Sequence, residues 1–151
     1  MRAKLVSTKN PNNIPKILRK KSKEVRKITP EIFELVEKMI AIMNKNNGVG
    51  ISAVQVGVPI RLIVVKNCDE YYVLVNPEII SFSKKEVVYA EGCLSFPGIF
   101  REISRPERIK VRAGMLDGKT VELEAEDLVA RTMEHEIDHL EGVVFLDHVQ
   151  K

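Results

Sequence analysis

Apolar residues in this chain follow two rhythms. Between Ile28 and Gly48, Ile32, Leu35, Val36, Met39, Ile40 and Met43 recur at intervals of three and four, which predicts a helix with one apolar face. Thr29 is its expected N-cap and Pro30 its first residue, and Asn46, Asn47 and Gly48 end it. The rhythm then shortens. "RLIVVKN" (61–67) and "YYVLVNP" (71–77) are β-branched runs joined by a short polar turn, the pattern of a hairpin. "KKEVVYAEG", "ERIKVRAGM" and "KTVELEAED" are further expected strands, the last two linked by a turn at Asp117-Gly118. The helical rhythm returns from about Glu126 or Asp127 to Leu140, where Leu128, Val129, Thr132, Met133, Ile137 and Leu140 give a broad apolar surface and Gly142 lies just past the end. Strands grouped between two helices predict an α+β fold, with antiparallel strands packed around a central C-terminal helix and a second helix near the N-terminus.

Length changes this picture little: 151 residues are expected to form one domain, 1–151. Its 44% hydrophobic and 30% charged residues suit a folded, water-exposed chain. The net charge of +3 is small. The densest basic run, "KILRKKSKEVRK" (16–27), has no aromatic residues for base stacking and is read as a solvated segment, so no specific nucleic-acid site is expected. No stretch approaches a membrane span, and the first residues lack the apolar core of a signal peptide. A cytoplasmic monomer without membrane contact is the expectation. In a reducing compartment Cys68 and Cys93 are not expected to pair. Cys68 reads as an ordinary cysteine with nothing chemical around it.

Chemistry enters with "RTMEHEIDHLEG" (131–142). Two of the three histidines in the chain, His135 and His139, stand four residues apart, on one helix face. In His-Glu-x-x-His the two imidazoles bind a metal and the Glu serves as base. A buried His pair needs partners for its ring nitrogens, and a metal provides one to each. A catalytic site of this kind has three protein ligands. Glu141 lies too close in the helix to be the third. His148 could serve if the tail folded back, and Cys93, in "YAEGCLSFPGIF", offers a thiolate suited to a borderline-soft cation.

Three motifs then line up. "GVGISAVQVG" (48–57), "EGCLS" (91–95) and "HEIDH" (135–139) resemble, in order and spacing, the signature motifs of the peptide deformylase family. The likeness extends to "PKILRKKSKEV" and "LVNPEI" and so covers nearly the whole chain. It implies a metal-dependent hydrolase that removes the formyl group from the formylmethionine terminus of newly made proteins and releases formate. It implies one divalent ion, Fe²⁺ in the native state with Zn²⁺, Ni²⁺ or Co²⁺ as alternatives, held by Cys93, His135 and His139. Glu136 would be the general acid/base. Gln55 and the Leu94 N–H would hold the formyl oxygen, and Gly50 would line the substrate channel with its backbone. Val49, Phe96 and Leu128 are candidates for the methionine pocket. Partners would be N-formylmethionyl nascent chains, with transient ribosome contact.

The chain also departs from the family pattern. Ser52 stands where Ala is usual, and Glu134 where Gln is common. Phe100 and Arg131 fall where many members have an Arg and an aliphatic residue, at the expected substrate pocket. Many members continue beyond "VVFLDHVQK" into a helix or tail, so docking through such a tail is not implied here. Asp138 is expected to pair with Arg105 or Arg131, and Glu91 to brace the Cys93 loop through Arg105. Two rival readings stay in play: a zinc peptidase with its third ligand downstream, and a non-catalytic metal-binding relative. Retention of both Glu136 and Gln55 argues against the second, since neither is needed merely to hold a metal.

Overall fold

The computed structural model describes residues 3–149. Its first helix, α1 (Pro30–Lys45), starts at the expected proline, although the Thr29 side chain makes no cap bond. Seven strands follow: β1 (Gly50–Ser52), β2 (Leu62–Asn67), β3 (Glu70–Phe82), β4 (Glu86–Gly92), β5 (Phe100–Pro106), β6 (Arg108–Gly114) and β7 (Thr120–Glu126). The second helix, α2 (Asp127–Leu140), closes the series. The fold is α+β, as expected. Two strands lay outside the hydrophobic pattern. β1 has only three residues, and β5 alternates Ile103 and Arg105 as its buried positions, so half of its inward face is charged.

Five strands form one antiparallel sheet in the order β1-β2-β3-β6-β7, and β4 and β5 form a separate hairpin. The register of β2 on β3 pairs Leu62 with Val75 and Asn67 with Glu70, which leaves Cys68 and Asp69 as a two-residue turn. Cys68 there has φ 57°, and the turn at Gly118 has φ 87°. Such positive angles suit tight hairpins. β3 runs on past Pro77, where its register on β6 shifts, consistent with a proline having no N–H to give a ladder.

β2 explains the two-sided core. Leu62 and Val64 face α1, together with Leu35, Met39 and Met43. Ile63 and Val65 face α2, together with Leu74, Val111, Met133 and Leu140. A strand covered on both faces loses its polar alternation, hence the continuous run "LIVV". A third cluster, with Leu18, Val54, Phe96, Ile103 and Phe145, fills the space under the loop that leaves β4. α2 is buried along most of its length, including Arg131, Glu134, His135, Glu136 and His139. Leu128 is the exception to the expected apolar face: at 61% exposed it stands at the rim of a cleft.

Candidate active site

Three elements meet beside α2. The helix supplies His135 and His139, whose rings lie 5.0 Å apart between centroids. The turn that leaves β4 supplies Cys93; it is tightened by a bond from the Phe96 N–H to the Cys93 carbonyl (2.9 Å). The segment after β1 supplies Gln55. The ligand atoms of Cys93, His135 and His139 all lie within 4.8 Å of one another, and Cys93 Sγ is 3.4 Å from His139 Nε2. Bond lengths of about 2.3 Å to sulfur and about 2.0 Å to nitrogen around a tetrahedral ion place such donors about 3.5 Å apart. The three residues therefore fit a divalent cation in both chemistry and spacing. His148, the other candidate for third ligand, does fold back, but its Nε2 meets Asp138 Oδ2 at 2.8 Å and not the cluster.

The histidines are oriented from outside the cluster. His135 Nδ1 meets Glu91 Oε2 at 2.7 Å, which leaves Nε2 for the cluster. Burial alone would push the Glu91 carboxyl up, but hydrogen bonds from Arg105 and His135 override it and hold the group well below the usual carboxylate range. Arg105 grips Glu91 with two bonds, Nε to Oε1 (2.8 Å) and Nη2 to Oε2 (2.7 Å), and reaches Asp138 with Nη1 (3.0 Å). The expected pairing of Glu91 and Asp138 with Arg105 is thus present. Burial also lowers the His135 pKa, yet its interactions with Cys93 and Glu91 outweigh that and raise it. His139 shifts the other way: burial, then the neighbouring His135 cation, push its pKa well down. Its buried Nδ1 has no partner among the described residues.

Glu136 lies on the same helix, 4% exposed, and its Oε1 has no hydrogen-bond partner among the described residues. Burial pushes its pKa up to about 7, with His135 partly opposing the rise. A carboxyl poised near neutrality is matched to giving and taking protons. Gly50 sits against it: a Cβ there would come within 2.8 Å of Glu136 Oε2. Only a glycine lets the β1 backbone run this close to the carboxylate. At Gly48 an added Cβ would lie 2.8 Å from Leu94 Cδ1, the end of a side chain that can turn aside.

Gln55 is fixed at both ends of its amide. Oε1 accepts from the Ser52 N–H (2.9 Å) and hydroxyl (3.1 Å), while Nε2 donates to Ser95 Oγ (3.1 Å) and faces Cys93 Sγ (3.4 Å). A cleft of about 420 Å³ opens over Cys93, His135 and Glu136. Val49, Gly50, Leu94, Phe96 and Leu128 all line it, as do Phe100 and Arg131. Sequence reasoning placed Arg131 at the pocket but did not foresee its reach. Its guanidinium donates to Glu91 Oε1 (3.0 Å), to the Ile103 carbonyl (3.0 Å) and to the Val87 carbonyl (2.6 Å). The only available signal was its place one helical turn before His135. Ser95 was missed as well, and nothing beyond its place in "EGCLS" marks it.

A central helix that presents His-Glu-x-x-His to a cysteine from a neighbouring turn defines a class, the metal-dependent hydrolases. Comparison with known proteins makes it specific. The family model for polypeptide deformylase matches residues 4–151. The peptide deformylase of Dictyoglomus thermophilum is 48% identical over 131 residues, covering 87% of this chain and 85% of that one. The crystal structure of the Thermotoga maritima peptide deformylase superposes with a TM-score of 0.90 at 37% identity, covering 100% of this chain and 99% of that one. The Synechococcus elongatus enzyme, solved in complex with actinonin, gives 0.91 at 34% identity, covering 99% of this chain and 79% of that one. The chain belongs to the polypeptide deformylase family and is a deformylase, a metallohydrolase.

Proposed function

We propose that the chain is one catalytic domain that removes the formyl group from N-formylmethionyl nascent chains, in the cytoplasm and as a monomer. Cys93, His135 and His139 would hold one divalent ion, Fe²⁺ in the native state, with Zn²⁺, Ni²⁺ or Co²⁺ as substitutes. When bound, such an ion supplies Lewis-acid polarisation and an acidified water. The remaining steps belong to the chain. Glu136 takes a proton from the attacking water and passes it to the departing amine nitrogen. Gln55 Nε2 and the Leu94 N–H donate to the formyl oxygen as negative charge develops on it. β1 is an edge strand of its sheet, so the Gly48–Gly50 backbone can receive an extended peptide as an added strand.

A formyl carbon carries only hydrogen, and a site this close-walled favours it over acetyl by shape. Val49, Phe96 and Leu128 would line the methionine pocket. The head of Arg131 is tied back to Glu91 and two carbonyls, so only its methylenes are left for that wall.

One observation carries the reading: a cysteine sulfur and two imidazoles converge beside a buried carboxyl group with an oxygen to spare. The test is formate release from a formyl-Met tripeptide by protein purified without oxygen and loaded with Fe²⁺ or Ni²⁺. Glu136→Ala should abolish release and keep the ion, and Cys93→Ala should lose the ion. Release that survives Glu136→Ala would remove Glu136 from its role. Metal retained by Cys93→Ala would favour a zinc peptidase with another ligand. The Fe²⁺ form should also lose activity in air through oxidation of iron or Cys93; an unchanged rate in air with iron bound would contradict that sensitivity.

A further inference from the structure

Glu91 is held by α2 at two points, one helical turn apart. His135 Nδ1 meets its Oε2 at 2.7 Å, and Arg131 Nη1 donates to its Oε1 at 3.0 Å. The two carboxylate oxygens are therefore both engaged by the same helix, which fixes the rotation of the carboxylate plane as well as its position. Arg105 also binds Glu91, but it belongs to β5, the partner of β4. Its bond is internal to the hairpin and reaches α2 only through Asp138. Arg131 is different in kind. It springs from the helix that carries both histidines and spans the hairpin, donating to Val87 on β4 and Ile103 on β5. Two residues after Glu91 the chain delivers Cys93.

We propose that Arg131 is a positioning residue for the metal centre: it sets the distance between the Cys93 sulfur and the two imidazoles by tying the cysteine-bearing hairpin to the histidine-bearing helix through Glu91. The inference rests on the ligand assignment made above. A guanidinium is suited to this because its planar fork serves several acceptors at once. An aliphatic residue would fill the same wall of the cleft and tie nothing. Lysine could reach one of the three acceptors as a point charge but could not bridge them.

Co²⁺ makes the test. Its affinity is read by competition with a chelator, and the thiolate-to-cobalt absorption band reports on the sulfur. Outer-sphere partners of metal-bound histidines typically change affinity by about 10–100-fold when removed. Arg131→Met should weaken Co²⁺ binding about tenfold and dim or shift the band. The melting temperature of the metal-free protein should fall much less than that loss implies. Arg131→Lys should lie between Met and the parent. In a Glu91→Gln background, Arg131→Met should cost markedly less than it does alone, because the link it acts through is already impaired. Affinity and band equal to the parent in Arg131→Met would overturn the proposal, as would a full cost retained in the Glu91→Gln background. Should the Met variant not fold, Arg131→Lys decides: parent-like affinity and band overturn the proposal, and a several-fold loss supports it. A parent protein that takes up no Co²⁺ at Cys93, judged by the absence of the band, would instead overturn the ligand assignment on which the inference stands.

Discussion

The five-stranded sheet and the β4–β5 hairpin are both antiparallel, yet different forces hold them. The sheet is gripped on two faces by Leu62, Ile63, Val64, Val65, Leu74 and Val111, all fully buried among apolar neighbours. On the hairpin, only Glu91, Ile103 and Arg105 are buried. Its attachment to the rest of the molecule is largely a set of charged hydrogen bonds, with Arg105, Arg131, His135 and Asp138 around one carboxylate. Apolar burial is non-directional and tolerates small displacements. A network of charged bonds is directional, and losing one member strands the others. The sheet is thus held by shape and burial, and the hairpin that carries Cys93 by direction and charge.

That contrast can be broken at its strongest point. Glu91→Ala strips the counter-charge from Arg105, Arg131 and His135 together, and losing one partner of a buried ion pair costs about 3–5 kcal/mol. Denaturant unfolding should show that loss, and dialysis against a chelator should strip the metal from whatever remains folded. Leu74→Ala sharpens the other side. A buried Leu cut to Ala costs about 2–5 kcal/mol, but each folded molecule should hold its metal as the parent does. Metal loss in Leu74→Ala without unfolding would show that the two regions are not separable.

A smaller effect is expected at Glu134, on the face of α2 toward the charged network. Burial pushes its pKa up to about 8, with the Arg105 and Arg131 charges opposing. The folded state therefore holds a proton that the unfolded chain gives up at an ordinary carboxyl pKa of about 4.3. This group's contribution is full below that lower value and is lost as pH rises through about 8. Glu134→Gln should match the parent near pH 4 and exceed it by about 1–2 kcal/mol near pH 9. A parallel pair of stability–pH curves would refute the assignment. The smallest effect belongs to Arg19 and Asp147, a half-exposed pair at 2.6 Å. Arg19→Ala should cost less than about 1 kcal/mol, and less again in high salt.

What could be read from the chain follows the same division. Periodicity revealed α1, α2 and the apolar strands because their burial is written in residue type at fixed spacing. The two histidines and Glu136 were legible for the same reason, being local to one helix. β5 was not, since a strand that buries Ile103 and Arg105 carries no apolar alternation. Cys93 as third ligand stayed level with Cys93 as an ordinary buried cysteine until the likeness to a known family entered, because nothing in the spacing of residues 93 and 135 says that they meet. Thr29 shows how far residue type reaches: it is the N-cap residue, as expected, yet its side chain makes no cap bond. The pairings of Arg131 depended on the path of the hairpin and lay beyond any local rule.

The amide of Gln55 is locked against its own near-symmetry. Ser52 gives two donors to Oε1. Turning the amide over would set its NH2 against the Ser52 backbone N–H, which cannot become an acceptor, whereas the hydroxyl could turn and accept. Any residue but proline at position 52 would supply that N–H, so the lock does not depend on the serine. The nitrogen is thereby committed to Ser95 Oγ and Cys93 Sγ, one hydrogen for each. One planar group thus acts as a coupling pin between the segment after β1 and the turn after β4.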